Sequence, residues 1–212
     1  MSTSQPKPTA STPPTRPSRV RLSAAGGSDK REAITRAALE LFVERGFFGT
    51  AVPEIADRAG VGAGTIYRYF ASKEALVNEL YREQKMWFGH HVVDHFPSGL
   101  PTRELFKTMW NRMAKFACEN PQAFVFMELH HHARYLDADS RALEQRMLDL
   151  FITIIASAQK RGDLKPATPR LLIGMVMGAF VGVIRSCIEV DAPLTDADWA
   201  TAEQCMWEAV RA

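Results

Sequence analysis

Between Ala59 and Phe70 the chain reads AGVGAGTIYRYF, three glycines and then an arginine between two tyrosines. Tyr67, Arg68 and Tyr69, with Thr65 just before them and Lys73 just after, are hydrogen-bond donors of the kind that hold phosphate oxygens. A guanidinium also matches the paired acceptors on a guanine edge. The glycines admit three uses: a loop cradling the phosphate of a bound nucleotide, a plain turn, or the entry to a helix that touches a partner. The choice between them depends on the elements that carry these residues.

Those elements read as short helices. From Asp29 the residues Ile34, Ala37, Ala38, Leu41 and Phe42 recur on one helical face, and Gly46 ends that helix. Thr50 can cap a second helix running to Ala59, with Pro53 in its first turn, where a missing N–H costs least. Gly60 stands at the corner, where a positive φ is needed, and Ala63 to Phe70 forms the next helix. Ile55, Ala59, Val61, Ile66 and Tyr69 fall where both helices face a common core, and Ala56 is small where they cross. This is helix-turn-helix spacing. Ile66 and Phe70 turn inward, which leaves Ala63, Gly64, Thr65, Tyr67 and Arg68 on the outer side of a helix that fits a DNA major groove. Ser72 caps a long helix with Leu76, Val77, Leu80 and Tyr81 on its inner face. Lys73, in the first turn, can address a phosphate together with the free backbone N–H groups. A small-residue corner also joins helices in plain bundles, and Tyr69 also suits a core; the ordered set from Thr50 to Lys73 favours DNA.

Charge distribution agrees with local rather than diffuse contacts. The net charge is +2 over 212 residues. Residues 1–28 carry Lys7, Arg16, Arg19 and Arg21, no acid and five prolines, and read as a disordered basic arm. Residues 29–85 hold nine basic and nine acidic side chains. Cys118, Cys187 and Cys205 lie far apart, without metal or disulfide spacing, and suit a reducing cytoplasm. The first residues lack the apolar segment of a secretory signal. The longest apolar run, Leu171 to Ile184, is shorter than the ~20 residues that cross a bilayer and reads as a buried helix. Local stop signals predict further helices over 102–119, 121–136, 139–161, 168–190 and 195–211, and no stretch alternates with period two. The fold class is therefore all-α. No nucleotide-binding glycine loop, His-Glu zinc motif or serine elbow is present, so the chain reads as a non-enzyme without a cofactor.

Three features of the helical body call for partners. Gly174, Gly178 and Gly182 line one face of a helix, where each glycine costs roughly 1 kcal/mol unless a close contact compensates. A dimer interface with the last helix, which carries Trp199, Met206 and Trp207, is one reading, and close packing within one chain is the other. Trp110, Met113, Phe124, Met127, Met147 and Phe151 suit an adaptable apolar pocket, and equally a core. The six histidines form two clusters, His90, His91 and His95, and His130, His131 and His132 beside Glu128. His91 with His95, and Glu128 with His132, have the i, i+4 spacing of a metal clamp, which makes a metal-sensing or metal-binding protein the alternative. Consecutive histidines cannot all face one site, so solvated or capping roles are favoured and no metal is assigned.

The stretch TAVPEIADRAGVGAGTIYRYFASKEAL, preceded by AALELFVERGFFG, closely resembles the DNA-binding region of the tetracycline-repressor (TetR) family over about residues 30 to 80. Beyond it the likeness lies in helix count, length and the RGDLKP turn. The resemblance implies an N-terminal three-helix DNA-binding domain on a helical ligand-binding and dimerisation domain. It further implies a homodimeric repressor released from a palindromic operator by a small apolar effector, with no membrane partner. The division is then a basic arm at 1–28, a helix-turn-helix domain at 29–75 and an effector domain at 76–212. Carried over by position, Thr50, Tyr67, Tyr69 and Lys73 match phosphate-holding residues, and Ala63, Gly64, Thr65 and Arg68 match the groove-facing surface. Gly62 stands where the family often has Ser, and Ala63 where a longer polar or basic residue is common.

Overall fold

The computed structural model describes residues 25–93, 99–130 and 132–212. Among these, nine α-helices follow in order: α1 (Ala25–Arg45), α2 (Val52–Ala59), α3 (Ala63–Tyr69), α4 (Lys73–Val93), α5 (Thr102–Glu119), α6 (Pro121–Phe124), α7 (Ala138–Lys160), α8 (Pro169–Val190) and α9 (Asp196–Val210). No strand occurs among the described residues; Leu164 and Arg211 form an isolated bridge. The first helix starts at Ala25 rather than Asp29, and the Ser28 hydroxyl donates to Glu32 one turn on, so residue 28 lies inside the helix. The remainder of the proposed arm, residues 1–24, lies outside the described residues, as do residues 94–98 and 131.

The head is built as its apolar spacing requires. Ile34, Ala38, Leu41 and Phe42 of α1 meet Ile55 and Ala56 of α2, Ile66 of α3 and Leu76 and Val77 of α4 in one buried cluster. The α2–α3 corner turns at Gly60, whose φ of 65° and ψ of 34° lie in the left-handed region that penalises a side chain. Thr50 does not cap α2. Ala51 occupies that position, its N–H donating to the Glu54 carboxylate at 2.8 Å, and Thr50 is buried one residue earlier. Its hydroxyl sits 2.9 Å from the Gly46 carbonyl and 3.2 Å from that of Leu41, tying the end of α1 to the turn. Ser72 caps α4 by accepting the Ala75 N–H at 3.1 Å.

The long α4 continues from head into body, so the boundary placed at residue 75 falls inside a helix. The single helix expected over 121–136 is broken. The four-residue α6 passes into a π-helical turn, Val125–Leu129, and after His130 a tight 3-10 turn, His132–Arg134, leads to α7. The break is held by His132, which is buried between the rings of Tyr81 and Phe126. Asn78 of α4 closes the junction. Its amide donates to the Tyr135 carbonyl, and its oxygen accepts from the Asp137 N–H and the Ser140 hydroxyl, each within 2.9 Å.

Candidate DNA-binding face and effector cavity

On α3 the predicted division between inner and outer residues is observed. Ile66 and Phe70 are buried, Ala63, Gly64, Tyr67 and Arg68 are exposed, and Thr65 and Tyr69 are half-buried. Tyr67 is 56% exposed although it is a large aromatic residue, and Gly64 leaves open space where a side chain would stand, so a groove floor can approach closely. Neighbouring cations are spent within the head: Arg58 pairs with Glu40 and Glu44, and Arg45 with Glu54. Arg68 has no partner among the described residues, which leaves its planar set of donors available for a base edge.

Lys73 is placed differently from the sequence expectation. Its ammonium donates to the carbonyls of Phe47 and Thr50, both at 2.8 Å, and lies 4.2 Å from the centre of the Phe47 ring. It fastens α4 to the α1–α2 turn. Phe47 in turn stacks on Tyr135 at 4.3 Å, and Phe42 on Phe126 at 6.2 Å, so the head meets the body through aromatic faces. Asn78 and Tyr135, which help make this junction, escaped the sequence reading, and His132 was singled out there only for metal or capping roles. Asn78 alone carried a signal, as a polar residue among the inward-facing Leu76, Val77, Leu80 and Tyr81.

The body contains a cavity of about 410 Å³ between α5 and α7, floored by α8. Trp110, Met113, Met147 and Phe151 line it as expected, together with Phe106, Met109, Ile154 and Ile155. Phe124 and Met127 do not. Both are buried in the core, with the Phe124 ring 5.7 Å from that of Phe180. The π-helical turn changes the angle per residue, and from this segment Glu128 reaches the cavity instead. There Glu128 accepts from Lys85 at 2.5 Å, both side chains being largely buried.

Gly174, Gly178 and Gly182 lie on the outside of α8, and a Cβ built at any of them would meet nothing within 4 Å. Close packing within the chain therefore does not account for the stripe. The surrounding face is apolar and bare, with Leu171, Met175, Ile188 and Val190 all exposed. The expectation of a buried helix is corrected accordingly. Among the described residues α8 is the one helix long and apolar enough to cross a membrane, yet its Leu172 and Phe180 are buried in the core. On α9, Trp199, Met206 and Trp207 pack inward: Trp199 lies 5.4 Å from Phe180, Trp207 lies 5.5 Å from Phe106, and Met206 rests on the core. Their alternation with polar residues follows the helix period, which turns them towards α5 rather than along the open face of α8.

The metal reading finds its residues otherwise engaged. His91 Nδ1 lies 3.0 Å from the Trp87 carbonyl, Glu128 pairs with Lys85, and the break at His130 removes the i, i+4 register between Glu128 and His132. His132 Nε2 donates to the Phe126 carbonyl, and Nδ1 accepts from the Tyr135 hydroxyl at 2.8 Å, which uses both ring nitrogens of a neutral imidazole. Burial lowers its pKa below the ordinary histidine value. His95 and His131 lie outside the described residues.

Comparison with known proteins agrees with this geometry. Residues 34–80 match the family described as bacterial regulatory proteins, tetR family, and residues 82–212 match the tetracyclin repressor-like C-terminal domain. The transcriptional repressor KstR2 of Mycobacterium tuberculosis is 32% identical over 121 residues, which span 56% of this chain and about half, 55%, of that one. The transcriptional regulator RutR of Escherichia coli K12 is 30% identical over 152 residues, 70% of this chain and 71% of RutR. A tetR-family regulator from Shewanella superposes with a TM-score of 0.75 at 25% identity, covering 86% of this chain and 98% of the other.

Proposed function

Since the chain belongs to the tetR family of bacterial regulatory proteins, we propose that it is a cytoplasmic, homodimeric transcriptional repressor that leaves a palindromic operator when a small apolar effector enters the α5–α7 cavity. The observation that carries this reading is the exposed α3, which presents Arg68, unpaired among the described residues, beside Tyr67 over a surface kept low by Ala63 and Gly64. Residues from 29 to about 75 serve as the DNA-binding domain and the rest as effector and dimerisation domain. Thr65 and Arg68 read bases, and Tyr67 and Tyr69 hold phosphates. The bare glycine face of α8 supports dimerisation, because an exposed apolar surface on a helix this long favours a second copy.

The path from cavity to DNA is short. Glu128 on the cavity wall lies in the same π-helical turn as Phe126, which stacks on Phe42 of α1. Lys85 lies twelve residues along α4 from Lys73, about 18 Å. An effector that separates Lys85 from Glu128 thus acts on both elements that support the head. Selection of binding sites from random duplex DNA, followed by footprinting, tests the reading. A palindromic consensus with two half-sites about one helical turn apart is expected, whereas no enrichment over random sequence rejects it.

A further inference from the structure

The cavity constrains the shape of its occupant, given the effector role proposed above. α7 is fastened to α4 at its N-terminal end, where Arg82 pairs with Asp137 and the Tyr81 phenol donates to Glu144. At its C-terminal end it packs on α8, and Arg161 donates to Thr102 of α5 at 2.8 Å. Between these fastenings α5 and α7 face each other across open space. The wall of α7 runs from Glu144 to Arg161, about 25 Å of helix. Residues along that whole length line one cavity of about 410 Å³, an elongated slot that can hold an extended alkyl chain.

The slot is apolar along its middle and charged at its ends. Lys85 is neutralised by Glu128, and Arg161 by Asp163 at 2.9 Å. Glu144 has no ion-pair partner among the described residues and receives only the neutral phenol of Tyr81. An anionic head group therefore finds no uncommitted cation in the wall, whereas a cationic one finds the exposed carboxylate of Glu144 at the mouth of the slot. We propose that the slot takes an unbranched cationic amphiphile, its protonated nitrogen set against Glu144 and its chain extended along α7 towards Arg161. A compact polycyclic molecule would fill only part of that length.

Titration calorimetry of the full chain with decylammonium, decanoate and 1-adamantylammonium, which share one carbon number, separates shape from charge. Decylammonium is expected to bind about tenfold or more tightly than either of the others. Glu144→Gln keeps an oxygen for the Tyr81 phenol, and is expected to abolish the preference over decanoate while retaining the wild-type melting temperature. Ile154→Trp, which fills the middle of the slot, is expected to remove decylammonium binding. Equal or tighter binding of decanoate, an unaltered preference in Glu144→Gln, equal binding of 1-adamantylammonium, or no binding of any probe overturns the proposal. A gel shift on the selected operator distinguishes this from the effector role. Decylammonium that binds in the slot without releasing DNA overturns that role and leaves the ligand class standing. Release by 1-adamantylammonium or decanoate, blocked by Ile154→Trp, does the reverse.

Discussion

Arg68 and Lys73 are both cations of the DNA-binding head, close together in the chain, and the structure gives them different work. Arg68 points outward with no partner for its donors among the described residues, so Arg68→Ala is expected to weaken binding to the selected operator by about 1–3 kcal/mol and to spare nonspecific duplex. Competition gel shifts measure this, and unchanged affinity for the selected site rejects a base contact. Lys73 holds two carbonyls, so Lys73→Ala is expected to destabilise the fold by about 1.5–3 kcal/mol in urea denaturation, with loss of DNA binding as a consequence. A variant of wild-type stability that only lost DNA affinity would instead restore the direct phosphate contact. Gly62 precedes α3 with φ of −72° and no side-chain cap, and a Cβ there meets nothing closer than the Thr65 hydroxyl at 4.0 Å. Gly62→Ser is expected to raise stability by a few tenths of a kcal/mol, since a serine cap exceeds glycine by about that much. The outward direction of Arg68 was legible because helical period sets it within a few residues. The fate of Lys73 was not, because its carbonyl partners lie 23 and 26 residues away.

At the level of elements, α8 and the α6–α7 connection show opposite outcomes. The glycine stripe of α8 follows from spacing alone, and the open space around each glycine supports the dimer face proposed above. Gly178→Arg is expected to keep the melting temperature of the isolated chain, because the new side chain meets nothing within it, and to convert a dimer into a monomer by analytical ultracentrifugation. A dimer that persists places the interface elsewhere. The α6–α7 connection was misread as one helix because its apolar residues keep helical spacing. Buried His132 and the Asn78 junction override that local preference through contacts with α4. Helix ends set by prolines, glycines and caps, such as Thr102–Glu119 and Asp196–Val210, were legible to within a residue.

For the whole molecule, His132 makes stability depend on pH at the joint between head and body. It touches Tyr81 of α4, Phe126 of the π-helical turn and Tyr135, whose ring stacks on Phe47 of the head, while Lys85, Glu128 and His130 supply the charges around it. Its folded pKa is below the unfolded value, so on acidification the unfolded chain takes up a proton first. Stability is full above about pH 6.5 and falls as the pH drops from there towards the folded pKa. Urea midpoints measured from pH 7.5 to 5.5 are expected to decline, with a slope of at most about 1.4 kcal/mol per pH unit from this group. His132→Gln is expected to flatten the slope, and equal slopes in both proteins reject the assignment. The sequence by itself determined the helical class, the corner at Gly60 and the outer face of α3, since period, capping and left-handed glycines act over a few neighbouring residues. Only the tertiary structure decided that Lys73 is a clamp, that Phe124 and Met127 are core while Glu128 faces the cavity, and that Trp199 and Trp207 turn inward. Those assignments depend on segments tens of residues apart, such as Tyr81 and Glu144, and local spacing carries no information about which of them will meet.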